Sequence, residues 1–393
     1  MNKKKVLLVA TIGYFFPQFE MNNISILKSL GYEVHCAADF TVSISNKRKQ
    51  EIQESGVVVH QIDFTRRPIN IFKNIKSYYK LKELIEREQF DLIHCHTPVA
   101  GAITRLAAKR CGVKSVIYTA HGFHFYKGSP LKNWMIYYPA EIFCSRFTRV
   151  QITINKEDYE IAKAKFHSGE VQYVPGVGIS IPEEESYGSI PVSLRDKHSK
   201  RDVEKIRKAL GVKENEYMVI SVGELIERKN HRMIIQALAE CPELPVKYFV
   251  LGRGTNEDKY KKLIQELHME EKIHLLGYRD DVMELDRAAD LFVFPSYQEG
   301  LPLALMEVMK ENTPVIASDI RGNRELILNT ERLFDPKDRK AFLECFRKAL
   351  RDLDENCMSE DVRLNRVNLK NYSNEAVNVR MREIYERVLG GIN

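Results

Sequence analysis

The chain has 393 residues, 44% of them hydrophobic and 29% charged, with a formal net charge of +6. That length fits two domains of about 150–200 residues each, and no apolar stretch approaches the ~20 residues that a membrane span requires. The seven cysteines (Cys36, Cys95, Cys111, Cys144, Cys241, Cys345 and Cys357) include no C-x-x-C pair, which argues against a zinc site or a disulfide framework and for reduced thiols in a cytosolic protein.

Lys3-Lys4-Lys5 before Val6–Ala10 imitates the start of a secretory signal. The apolar run is short, however, and Phe15-Phe16-Pro17-Gln18 offers no small-residue cleavage site, so Val6–Ala10 reads as a buried first strand. Met21–Leu30 reads as a helix stopped by Gly31. Strands follow at Glu33–Ala38 and Val57–Ile62, then a helix at Ile71–Glu88, where apolar residues recur at helical spacing. Asp91–Cys95 is a strand, Gly101–Arg110 a helix, Ser115–Thr119 a strand, Pro130–Phe147 an aromatic-rich amphipathic helix and Val150–Ile154 a strand. Pro175-Gly176-Val177-Gly178 breaks the pattern, and a polar, charged linker is expected at 181–204.

The alternation then restarts. Strands are expected at Tyr217–Val222, Lys247–Leu251, Ile273–Leu276, Leu291–Phe294 and Val315–Ser318. Helices are expected at His231–Ala239, Glu257–Leu267, Val282–Ala289, Leu303–Lys310, Arg339–Asp352 and Glu375–Leu389. Repeated βαβ units with short apolar strands imply parallel sheets covered by helices on both faces. The fold class is therefore α/β, with two doubly wound domains in tandem at 1–180 and 205–372. Ligands of such sheets bind beyond the carboxyl ends of the strands, so a cleft between the domains is the expected site.

Charge divides unevenly. Residues 1–180 carry 25 Lys and Arg against 15 Asp and Glu, whereas residues 181–393 carry 35 against 39. A basic first half suits an anionic membrane surface or a phosphorylated acceptor. Aromatics around Phe123, Trp134 and Tyr137 are the expected membrane contacts. No nucleic-acid motif accompanies the charge, so no nucleic-acid partner is expected.

The most informative segment runs from Phe294 to Glu307 (FPSYQEGLPLALME). A strand ends there and a Gly/Pro turn opens a helix, whose N-terminal N–H groups and dipole can receive a diphosphate. Glu299 and Glu307, eight residues apart, fall near one helical face and can accept hydrogen bonds from sugar hydroxyls. Glu307 lies between Met306 and Val308 and is expected to be partly buried. Upstream, Gly223–His231 (GELIERKNH) also joins a strand to a helix, and Arg228 and Lys229 can neutralise the charge that grows on a leaving diphosphate. Leu251-Gly252-Arg253-Gly254 is a weak phosphate or nucleoside signal. Tyr278, in another strand-end turn, could meet a base, and Ser318–Gly322 ends a further strand.

In the first half, Tyr118–Gly128 (YTAHGFHFYKG) follows a strand. His121 could contact the reacting sugar or its leaving phosphate, and His124 and Lys127 could approach an acceptor phosphate. His94-x-His96 invites a metal reading. It is read instead as structural, on the expectation that the two rings point to opposite faces of the strand.

The Glu299-x7-Glu307 element, with Glu-Gly-Leu-Pro after a strand, resembles the retaining GT-B glycosyltransferases of the E-x7-E family, over nearly the whole chain. The loop His121–Gly128 and the run Ile152–Tyr159 more narrowly resemble capsule and exopolysaccharide members, which build repeat units on an undecaprenyl-diphosphate carrier at the inner membrane face. The resemblance implies a GT-B fold of two Rossmann-like domains facing a central cleft, with the last helix, 373–393, crossing back onto the first. It implies transfer of a hexose or N-acetylhexosamine from a nucleotide-diphosphate donor, with UDP favoured, to a polyprenyl-diphosphate-linked sugar. Configuration would be retained, no metal would be needed, and the enzyme would be cytoplasmic and peripheral on the inner membrane face.

By the same resemblance, Glu307 would bind the ribose and Glu299 a hydroxyl of the transferred sugar. Gly300, Leu301, Leu303 and Ala304 would offer backbone contacts to the diphosphate. Lys229 and Arg228 would face the phosphates, Gly252, Gly254 and Tyr278 would line the nucleotide, and His121 would lie beside the donor sugar. Gly13 and Tyr14, with Phe123, His124 and Lys127, would form the acceptor side. Two departures stand out. Many members carry a Gly-Gly loop where this chain has Gly13 alone, which leaves Tyr14, Phe15 and Phe16 to serve the acceptor or membrane. Many carry Arg where this chain has Glu224, which leaves phosphate neutralisation to Lys229 and Arg228. The alternatives are a nucleotide-sugar epimerase of similar fold and a catalytically silent partner subunit.

Overall fold

The computed structural model describes residues 4–41, 46–181 and 200–390. The chain divides into two compact units, Met1–Gly178 with Tyr372–Asn393, and Ile179–Asn371. Of the linker expected at 181–204, residues 182–199 lie outside the described residues, and from Lys200 the chain is already helical, to Ala209.

The first unit holds seven parallel strands: β1 (Lys5–Ile12), β2 (Glu33–Asp39), β3 (Val58–Gln61), β4 (Leu92–His96), β5 (Val116–Ala120), β6 (Val150–Thr153) and β7 (Glu170–Tyr173). They lie in the order β3-β2-β1-β4-β5-β6-β7. The inner strands are buried on both faces, which is why they read as continuous apolar runs rather than alternating ones. Val6, Leu8 and Ala10 face one core with Ile24 and Leu27. Leu7 and Val9 face the other, with Leu81, Ile85 and Ala107.

The last helix, Asn374–Gly390, packs into the first core through Met381, Ile384, Tyr385 and Val388. Burying each of Met381, Ile384 and Val388 contributes about 1.5–3 kcal/mol. Polar contacts fix its position: Asn22 Nδ2 donates to Asn374 Oδ1 at 3.0 Å, and Arg382 donates to Ser29 Oγ at 2.8 Å.

The second unit holds β8 (Tyr217–Val222), β9 (Val246–Leu251), β10 (Ile273–Gly277), β11 (Leu291–Phe294), β12 (Val315–Ser318) and β13 (Leu333–Phe334). All are parallel, in the order β10-β9-β8-β11-β12-β13. Both sheets are Rossmann-like, and each has one place where strand order reverses, between β1 and β4 and between β8 and β11. Among the described residues no helix is long and apolar enough to cross a membrane, and all seven cysteines are free thiols.

Candidate active site

In the second unit the switch point fixes which loops meet. β8 delivers Gly223–Asn230 and β11 delivers Pro295–Pro302, side by side at the carboxyl edge where open α/β sheets bind ligands. Backbone bonds join them: the Tyr297 N–H donates to the Arg228 carbonyl at 2.9 Å. Asn230, held at φ +57°, donates from Nδ2 to the carbonyls of Pro295 (3.1 Å) and Pro336 (3.0 Å). Buried Arg321 donates from Nε to the Glu299 carbonyl at 3.2 Å. Gly322 sits so close that a Cβ there would collide with the Gly300 carbonyl. Asn230 and Arg321 were not anticipated as site-forming residues. They act from separate segments, and only the fold brings them to this loop.

Glu299 is the centre of this cluster. Lys229 Nζ lies 2.8 Å and Arg228 Nη1 2.9 Å from its Oε1. Arg228 also donates to the Gln298 carbonyl at 2.7 Å. The Lys229 stem lies against Gly223, where a Cβ would come within 3.3 Å of it, and its ammonium stands 5.0 Å from the centre of the Phe294 ring. Burial alone would raise the Glu299 carboxyl, but Lys229 and Arg228 outweigh it and hold the group below its ordinary range. Two cations thus converge on one carboxylate oxygen. An anionic group entering there would meet charge-assisted donors already positioned.

The other expected residues divide. Leu303–Lys310 is the expected helix, with Leu301 buried and Gly300, Leu303 and Ala304 half-buried at its start. Glu307 is exposed, not partly buried. Its chain neighbours Met306 and Val308 turn inward with Leu305 and Met309, and at 100° per residue flanking positions say little about the face between them. The nearby buried Asp286 is pushed up to about 8 by burial, then by the charges of Glu307 and Glu311. Gly252, at φ +139°, and Gly254 abut the backbone of 223–225, where any Cβ would collide. Close packing of the protein's own loops therefore explains these two glycines. Tyr278 is exposed at the end of β10.

In the first unit, the β1/β4 switch point gathers one carboxylate and two imidazoles. A π-helical turn, Phe16–Glu20, follows β1 and ends in Glu20; such turns are frequent at functional sites. His96 ends β4, and His121 follows β5. His96 Nδ1 lies 3.4 Å from Glu20 Oε1 and 3.2 Å from His121 Nε2. Phe15 packs on both rings. Burial pushes Glu20 up to about 8, offset in part by the Asn23 amide, and pushes His121 down to about 4. After His96 the β-branched Thr97 is held at φ +64°, a strained conformation of the kind found at functional sites.

The expectation for His94 and His96 is corrected. Residues two apart on a strand share a face, and the ring centres lie 4.2 Å apart. His94 is held by Tyr385 Oη and Thr119 Oγ1, both at 2.8 Å, and its role is structural. His96 joins Glu20 and His121.

The loop 121–128 is shaped from below. Asp158 Oδ2 accepts from the Phe123 N–H at 2.9 Å, while Asn155 caps the following helix through the Asp158 N–H. Phe123 turns into the core and stacks on Phe125, so its side chain does not face an acceptor. His124 is half-buried beside Tyr137, and Lys127 is exposed. Gly13 faces the Phe40 ring, and the Tyr14 hydroxyl accepts from Arg66 at 2.9 Å. Phe15 and Phe16 are core residues, which removes them from the acceptor or membrane role expected of them.

Two Rossmann-like domains in tandem, each with its polar cluster at the strand-order switch, define a GT-B protein. The chain belongs to the glycosyltransferases: residues 5–154 match the family described as glycosyl transferase 4-like and residues 202–362 that described as glycosyl transferases group 1. It is 35% identical over 338 residues to EpsD of Bacillus subtilis, assigned as a glycosyltransferase, covering 84% of this chain and 83% of EpsD. It is 30% identical to the UDP-Gal:α-D-GlcNAc-diphosphoundecaprenol α-1,3-galactosyltransferase of Escherichia coli, covering 77% of each. In fold it is similar to Anabaena HepE, solved with UDP and glucose: TM-score 0.74 at 19% identity, over 98% of this chain and 100% of HepE. These likenesses give no support to the epimerase and silent-subunit alternatives.

Proposed function

We propose that this glycosyltransferase moves a hexose or N-acetylhexosamine from a UDP-sugar to a sugar carried on undecaprenyl diphosphate, with retention, in capsular or exopolysaccharide synthesis. The observation that carries the reading is the convergence of Lys229 and Arg228 on Glu299 at the β8/β11 switch point. A departing diphosphate needs charge neutralisation that grows in the transition state, and preorganised cations supply it. The relative from E. coli is named for a UDP-galactose donor and a diphosphoundecaprenol-linked acceptor, which favours that substrate class here.

In this reading Glu299 holds a hydroxyl of the transferred sugar and exposed Glu307 the ribose. His121 lies beside the donor sugar, and Tyr14, His124 and Lys127 serve the acceptor. The diphosphate is neutralised by Lys229 and Arg228 without a metal ion. The bond from the anomeric carbon to the diphosphate oxygen breaks on the face where the bond to the acceptor oxygen forms, and the leaving diphosphate takes the acceptor proton.

Calorimetry with UDP, GDP and their sugar conjugates tests the donor site. One nucleotide should bind, and Glu307→Ala should weaken it at least tenfold. Undiminished binding in the variant would remove Glu307 from the site, and binding of no nucleotide would remove the donor reading. Product NMR then tests retention; a β-linked product from an α-configured donor would overturn it. Conversion of donor without acceptor would restore the epimerase alternative.

Peripheral membrane attachment, also proposed, has a surface to serve it. Phe72 is 91% and Ile69 81% exposed, with Ile71, Ile75 and Tyr79 exposed nearby. Exposed Arg66, Arg67, Lys73 and Lys76 lie among them. Leu131, Met135 and Ile136 expose a second apolar stripe on the helix Leu131–Ser145, and both helices flank Pro98–Arg110. Trp134 and Tyr137, the aromatics expected to meet lipid, are instead half-buried. Each Lys or Arg near an anionic surface contributes about 1 kcal/mol, and each inserted large apolar side chain about 1.5–3 kcal/mol. Flotation with phosphatidylglycerol vesicles should show binding that weakens with salt and falls at least tenfold in Ile69→Ser/Phe72→Ser. Equal flotation of wild type and variant would exclude this surface.

A further inference from the structure

We propose that His96 is a positioning residue for sugar transfer: its Nδ1–H donates to His121 Nε2 and so fixes the His121 proton on Nδ1, the nitrogen left to meet the donor sugar. The inference rests on the placement of His121 beside that sugar. It adds which atom His121 presents and what decides it. The pair follows from the sheet order. His96 ends β4, β5 lies beside β4, and His121 comes directly after β5. The two nitrogens stand 3.2 Å apart.

Burial pushes His121 down to about 4 and holds His96 well below its ordinary range, so each ring is neutral and carries one proton. On His96 that proton has two places. Among the described residues no hydrogen-bond partner meets Nε2, which is fully buried. The ring centre of His94 is only 4.2 Å away, but Tyr385 and Thr119 engage both of its nitrogens. A buried N–H without an acceptor is costly. Nδ1, by contrast, faces His121 Nε2 and, at 3.4 Å, Glu20 Oε1. The proton therefore sits on Nδ1. Both distances exceed the roughly 2.9–3.0 Å of a two-centre bond, as befits one N–H shared between two acceptors. With its Nε2 accepting, His121 carries its own proton on Nδ1.

Glu20 keeps Oε1 an acceptor in either charge state. Its other oxygen, Oε2, lies 2.8 Å from the Asn23 amide, which can donate to a carboxylate or accept from a carboxylic acid. Packing holds the two rings in this relation. The Phe15 ring centre stands 5.2 Å from that of His96 and 5.0 Å from that of His121. Behind His96, Thr97 at φ +64° is tied to β1 by its Oγ1, 2.7 Å from Thr11 Oγ1. Strain of this kind persists only where the surroundings over-determine it, and here it adjoins the ring whose direction matters. His121 itself is half-buried and borders a pocket with Asn22 and Asn378, so it stays within reach of a ligand.

The test uses the full-length chain labelled with nitrogen-15 histidine, in which NMR reads the protonated nitrogen of each ring and His121→Asn assigns the His121 signals. His121 should carry its proton on Nδ1 in wild type at neutral pH. It should do so in His96→Asn, whose amide N–H can take the place of Nδ1–H, and not in His96→Leu. Calorimetry then compares UDP with UDP-glucose, UDP-galactose and their N-acetylated counterparts. For the UDP-sugar that wild type prefers, His96→Leu should weaken binding about tenfold, the size of one lost hydrogen bond, while UDP binding is unchanged. His96→Asn should recover most of the loss, which a merely space-filling role would not explain. Circular dichroism and urea unfolding check that each variant folds; if His96→Leu does not, the wild-type spectrum decides alone. A His121 proton on Nε2 in wild type overturns the inference and leaves His121 beside the sugar. A proton on Nδ1 with undiminished UDP-sugar binding in folded His96→Leu overturns the positioning role together with that placement of His121.

Discussion

Replacing Lys229 with alanine is expected to lower kcat by about 10²–10³-fold, the usual consequence of deleting one preorganised donor to a developing anion. Lys229 and Arg228 share one carboxylate oxygen of Glu299 at 2.8 and 2.9 Å, so in the absence of ligand that single negative charge offsets only one of the two positive charges. An incoming diphosphate must draw both cations towards itself. Because its negative charge grows as the sugar bond breaks, the Lys229 contact strengthens most in the transition state. Such an interaction appears in kcat rather than in KM. Initial rates over a range of donor concentrations measure the split. A rise in KM at unchanged kcat would show that Lys229 only binds donor.

The same substitution has a second consequence. Burial presses the Glu299 carboxyl upward, and the cations hold it down. Removing Lys229 shifts that balance towards the neutral acid. Lys229→Arg keeps the charge but exchanges a compact ammonium on a flexible stem for a wider planar group. The space between Gly223 and Phe294 is fitted to the lysine stem. Arginine should therefore recover only part of the lost rate.

This clamp was legible in part. The strand–turn–helix pattern around Gly223 and Pro295 and the charges at 228, 229 and 299 stand in the sequence. What places them together, the Asn230 and Arg321 bonds to a distant loop, does not, because both residues look like ordinary polar positions. Glu20 was missed for a similar reason. It lies between a predicted strand and a predicted helix, in a turn whose π-helical form has no pattern signal. The amphipathic helix Ile71–Glu88 shows another limit. Its spacing revealed a helix, but Leu81, Leu84 and Ile85 face the core while Ile71, Phe72 and Ile75 stay exposed. Periodicity alone does not say which apolar stripe is covered. Phe123 erred in the opposite direction, an aromatic in a polar loop that the fold turns inward.

The largest stability effect is expected at Glu141. Arg105 is fully buried, and its Nη2 lies 2.8 Å from Glu141 Oε2. Its Nε donates to the Gly101 carbonyl at 3.1 Å, and its guanidinium carbon stands 3.9 Å from the centre of the Tyr118 ring. The Tyr118 hydroxyl donates to the other Glu141 oxygen at 3.0 Å. Gly101 has no side chain because one would strike that ring. The network ties β5 to the helices Pro98–Arg110 and Leu131–Ser145. Glu141→Ala leaves a guanidinium without its counter-charge in a dry interior, and breaking such a pair costs about 3–5 kcal/mol. Urea unfolding of the full chain should show the first unit's transition moving to lower denaturant while the second unit's stays in place. Arg105→Met/Glu141→Met removes both charges at similar volume and should cost much less than Glu141→Ala, since desolvation is relieved together with attraction. A single-variant loss under about 1 kcal/mol, the range of exposed ion pairs, would mean that water reaches the pair and that Tyr118 packing holds the helices without it.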